Sequence, residues 1–63
     1  MTLRDFIRAN RTEIDAAIYR GMGETEESAR ARGIPRLNDG ERRLWIVNDE
    51  GLYNWARSEG VPV

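Results

Sequence analysis

Cysteine, histidine and lysine are all missing from this chain of 63 residues. Without cysteine there is no disulfide to staple the fold, and without cysteine or histidine the ordinary ligands of a structural zinc are gone. The same gaps remove the commonest general bases and the strongest nucleophiles. Ser28 and Ser58 have no imidazole or amine to activate them. Proline occurs twice and aromatic residues five times. The longest run of large apolar residues is Leu44-Trp45-Ile46-Val47, far short of the ~20 residues that a membrane-spanning helix needs. The N-terminus has no apolar signal-like stretch, and Asp5, Glu13 and Asp15 do not suit a transit peptide. A cytoplasmic protein with no membrane segment is the expectation, and the absence of cysteine is compatible with a reducing compartment. Asn10-Arg11-Thr12 matches a glycosylation sequon, which without an export signal reads as chance.

Charge is plentiful and balanced. Ten basic and eleven acidic residues leave a formal net charge of −1, which argues against a strongly electrostatic binder of nucleic acid or membrane. All the basic residues are arginine, spread along the whole chain.

A chain this short buries only ~60% of the surface that its unfolded form exposes, and one such core rarely supplies more than ~3–5 kcal/mol. The two tryptophans therefore matter, since each ring can bury about 150–250 Å². Self-association is the other route to stability.

The C-terminal stretch Asn38–Val61 carries most of the structural signal. Asn48 reads as an N-cap, followed by Asp49 and Glu50 at the positive end of a helix dipole. Val47 and Leu52 have the spacing of a hydrophobic staple. Leu52, Trp55 and Ala56 share one face, and Gly60, Val61 and Pro62 form a stop. A helix over about 49–59 follows. Upstream, Asn38 and Glu41 have capping-box spacing, and Asp39 and Arg43 form an i, i+4 pair. The four apolar residues 44–47 point all round a helix and alternate on a strand. Two readings stay open: a helix over 38–47, or a β-hairpin pairing 44–47 with 52–55.

At the other end, Thr2 caps a helix with Asp5 as its partner, and Leu3, Phe6, Ile7, Ile14, Ala17 and Ile18 make a stripe at helical spacing. Asn10 interrupts it. The stretch is one helix from 2 to 20, or a kinked pair with Asn10 and Glu13 capping the second member. Residues 23–36 read as a polar linker with some nascent helix, in which Glu26 and Arg30 are an i, i+4 pair. Ile34 before Pro35 is extended.

The fold expected is a single small all-α domain over 1–63. It has three helices, the last two forming a C-terminal helix-turn-helix-like pair, with a C-terminal β-hairpin as the alternative. Trp55 is expected in the core. No catalytic residue, cofactor or metal is expected, since Asp49-Glu50 is better explained by helix charge than by acid–base work. NDG and NDEG fall short of a calcium loop, lacking its spacing and its distant Glu. Protein binding is the leading function, because Trp, Tyr and Arg are enriched at interface hot spots. Arg42, Arg43, Trp45, Tyr53 and Arg57 are the expected partner-binding residues. A homodimer sharing 44–47 is a further expectation. Nucleic-acid binding is the alternative, with Arg42, Arg43 and Arg57 on phosphates and Trp45 or Tyr53 on bases.

TLRDFIRANRTEIDAAI (2–18) and LNDGERRLWIVNDEGLYNWARSEGV (37–61) resemble short proteins of bacteriophages and bacterial mobile elements. The resemblance covers both ends and skips 21–36. It implies an accessory factor that binds a host or phage protein, as anti-CRISPR proteins do, and it assigns no site residue.

Overall fold

The computed structural model describes residues 1–63 and contains five helices and no strand. They are α1 (Leu3–Ala9), α2 (Arg11–Gly21), α3 (Glu26–Ala31), α4 (Asp39–Asn48) and α5 (Glu50–Ser58). The chain is all-α. The hairpin is not formed: Leu44–Val47 is helical. Five helices replace the three expected, and two local events account for the difference.

The first is a break at Asn10. Its side-chain amide donates to the Phe6 carbonyl at 3.0 Å, and its backbone N–H donates to the same oxygen at 3.1 Å. The residue thus closes α1 and makes no side-chain cap on α2, so the expected Asn10–Glu13 cap is absent. The Thr2 hydroxyl accepts from the Asp5 N–H at 3.1 Å, as its spacing predicts.

The second event lies within the stretch expected as a linker. Thr25 and Ser28 cap each other reciprocally at 3.0 Å, and Arg30 pairs with Glu26 at 2.9 Å. These local bonds set up one and a half turns of helix, and Ala29 is fully buried where α3 packs on α2. A single small side chain docks the segment, which explains why hydrophobic periodicity did not reveal it.

The capping box at Asn38 and Glu41 forms in both directions, at 2.8 and 3.1 Å. Its neighbour Asp39 pairs with Arg42 rather than Arg43. At the α4–α5 junction the cap is Asp49, whose carboxylate accepts from the Leu52 N–H at 3.0 Å. Asn48 is instead the last residue of α4, and its amide donates back to the Leu44 carbonyl at 2.7 Å. Moving the cap by one residue removes the Val47–Leu52 staple and leaves Val47 exposed. Helix α5 ends in a Schellman motif: the Val61 N–H donates to Ala56 O and the Gly60 N–H to Arg57 O, each at 3.0 Å. Gly60 takes φ +84°, a conformation that a side chain disfavours.

One cluster ties these elements together. Phe6 and Ile7 of α1, Ile14 and Ile18 of α2, Ile46 of α4, Leu52 and Ala56 of α5, and Val61 beyond it form the core. The molecule measures 35 × 19 × 15 Å. Phe6 and Tyr19 are enclosed, whereas the two larger indoles are half-buried and pack against the cluster. Trp55 was expected in the core and stands at its rim, edge-on to Phe6 with ring centroids 4.9 Å apart.

Candidate partner-binding face

Helix α4 has two unlike sides. Arg42 and Ile46, four residues apart, are buried, with Trp45 and Asp49 half-buried beside them. The opposite side presents Leu44 at 63% exposure and Val47 at 48%. These are adjacent on the helix surface at i, i+3 spacing. The four-residue apolar run thus splits. Ile46 enters the core, Trp45 covers its edge, and Leu44 and Val47 face solvent.

The residues expected to bind a partner differ in exposure: Arg42 is buried, Trp45 and Tyr53 are half-buried, and Arg43 and Arg57 are exposed. Arg42 is the main correction. Only 7% exposed, it is turned inward and engaged by carboxylates of the same chain. Its Nε donates to Asp15 Oδ1 at 2.7 Å, one terminal nitrogen donates to Asp15 Oδ2 at 3.0 Å, and the other donates to Asp39 at 2.7 Å. The paired bonds to Asp15 join α2 to α4 in a fork geometry that fixes their spacing. Hydrogen bonding to Asp15 first, then to Asp39, holds the Arg42 pKa above its ordinary value. Burial opposes this and loses. No buried side-chain polar atom in the chain lacks a partner.

Trp45 turns toward α2, where its ring end would sit 2.8 Å from a Cβ placed on Gly21. The missing side chain at Gly21 is the notch that admits the indole. Tyr53 donates its hydroxyl to the Val63 carbonyl at 3.2 Å, and the Arg57 guanidinium lies 5.8 Å from its ring centroid. These two are brought together, on α5. Arg43 is exposed and makes no ion pair.

Sequence reasoning singled out the 44–47 run but did not separate its outward residues from its inward ones. It missed the Asp15–Arg42 bridge and the Gly21 notch. A signal for the bridge existed: Arg42 lies four residues before Ile46, on the face that α4 must bury.

No three acidic side chains converge as metal ligands, and no helix is long and apolar enough to cross a membrane. No protein-family model, no curated protein and no solved structure matches this chain.

Proposed function

We propose that this is a non-enzymatic accessory protein of the phage or mobile-element kind. It acts in the cytoplasm by binding another protein through the outward face of α4. The observation that supports this reading is the exposure of Leu44 and Val47 side by side on one helix face. A helix with an apolar stripe facing water suits an apolar groove on a partner. Arg43 and Asn48 supply a polar rim.

A stable interface takes about 800 Å² from each partner, and two side chains give only its apolar centre. That shortfall also weighs against a homodimer held by this face alone. The nucleic-acid alternative would use α4 and α5 as a helix-turn-helix-like unit. Asp49 and Glu50 put negative charge at the start of α5, and Arg42 is already engaged. Both features oppose phosphate contact.

The test replaces Leu44 and Val47 together by Asp. Both are exposed, so the melt should stay within a few degrees of the parent. A photo-crosslinker at position 44 should capture one defined protein from bacterial lysate, and a crosslinker at Arg4 should not. The purified complex should be lost in the double variant. Retained complex, or salt-sensitive DNA binding abolished by Arg43→Glu with Arg57→Glu, overturns the reading.

A further inference from the structure

A separate polar cleft of about 470 Å³ opens where α2, α3 and the start of α4 meet. Neither Leu44 nor Val47 lines it, and nine of its ten lining residues are polar or charged. Four arginines and three carboxylates face it. Each carboxylate already has a partner: Asp15 and Asp39 are held by Arg42, and Glu26 by Arg30. Arg11 and Arg36 pair with no carboxylate. Each acid therefore has a cation of its own, and two guanidinium groups pair with none, one from the first turn of α2 and one from the segment before α4.

We propose that this cleft binds the phosphate group of a small phosphorylated molecule. Guanidinium forks match phosphate oxygens. Arg11 and Arg36 come from two different segments of the lining, and two forks suit the several acceptor oxygens of a phosphate. The Thr12 hydroxyl, also on the lining, can donate to a further oxygen. The volume lies in the range of about 300–1,000 Å³ usual for ligand sites, which leaves room for a polar body attached to the phosphate.

The test is an amide NMR titration of the intact chain at constant ionic strength, using inorganic phosphate, glycerol 3-phosphate and acetate as probes. Saturable shifts are expected at Arg11, Thr12, Arg36 and Asn38, with acetate at least tenfold weaker than phosphate. Glycerol 3-phosphate binding as tightly as phosphate, or tighter, assigns the cleft to a phosphate monoester. Its exclusion while phosphate binds would overturn the ester in favour of the free ion. Arg11→Gln with Arg36→Gln should weaken binding at least tenfold. Arg4→Gln with Arg57→Gln removes the same charge from α1 and α5, at residues that do not line the cleft, and should leave binding within twofold. Non-saturating shifts, acetate equal to phosphate, or equal losses in both double variants would overturn the proposal. Both arginines are exposed, so the variants should fold, and a thermal melt of each checks this.

Discussion

Replacing Asp15 by Ala tests the internal logic of the fold most directly. The carboxylate takes two hydrogen bonds from Arg42, at 2.7 and 3.0 Å, and the two side chains are 14% and 8% exposed. Removing it leaves a guanidinium in a largely covered site with two donors unanswered. Breaking one partner of a fully buried pair costs about 3–5 kcal/mol. Here Asp39 remains on the third nitrogen, itself 61% exposed, and the cleft admits water. A loss of about 2–3 kcal/mol is therefore expected. Against a total of about 3–5 kcal/mol for a core of this size, that is most of the stability. Urea denaturation followed by tryptophan fluorescence reads it. With a slope near 1 kcal/mol per molar, the midpoint should fall by about 2–3 M.

The double variant Asp15→Ala with Arg42→Ala sharpens the test. If the cost comes from the orphaned charge, removing both partners should cost at least about 1 kcal/mol less than the two single losses combined. The pH dependence also has a defined sign. A base whose folded pKa is raised contributes stability that is present below its unfolded pKa and lost only as pH rises through the folded one. Both values for Arg42 lie beyond the working range, so its charge adds no slope between about pH 7 and 10. An Asp15→Ala protein that melts near the parent, or a double variant equal to the sum of its singles, would refute the argument.

Two further variants address the tryptophans. Gly21→Ala places a Cβ 2.8 Å from the Trp45 ring, and the displaced indole should cost about 1–2 kcal/mol. In a Trp45→Ala background the same change should instead stabilise by a few tenths of a kcal/mol through helix propensity. A loss in both backgrounds, measured by urea midpoints, would rule out the notch. Trp55→Ala should cost about 2–3 kcal/mol, less than for a fully enclosed ring, of which about 0.5–1.5 kcal/mol is the edge-on contact with Phe6. A midpoint unchanged from the parent would mean that the ring does not pack.

Helix type was legible wherever caps and stripes coincided. Thr2, the Asn38–Glu41 box and the Gly60-Val61-Pro62 ending all stand where their spacing placed them. Cap chemistry is local, so a sequence can carry it whole. Two of the errors fell where two local solutions compete. Asn48 and Asp49 both cap well, and neighbouring residues decide between them. With Asp49 as cap, Asn48 can donate to Leu44 O as α4 ends. Asn10 likewise can cap forward or backward, and bonding back to Phe6 closes α1 over the core residue Phe6.

The surroundings of the expected partner-binding residues were harder to read because arginine serves two opposite purposes. Composition favoured Arg42 and Arg43 equally as surface cations. Their fates differ by one step of 100° around α4, which turns Arg42 inward beside Ile46 and Arg43 outward. What makes the inward position tolerable is Asp15, 27 residues earlier. No local rule links residues so far apart. Asp15 itself stands beside Ile14 and three residues before Ile18, close enough to the buried stripe to be half-covered. A carboxylate bordering one helix's apolar stripe and an arginine inside another's have a shared solution in pairing across the interface. Burial of Arg42 in turn removes one of the two cations from the α4 surface. What remains outward there is Leu44, Val47 and Arg43, an apolar centre with a charged edge. The same bridge therefore anchors α4 on α2 and aims the opposite side of that helix at water.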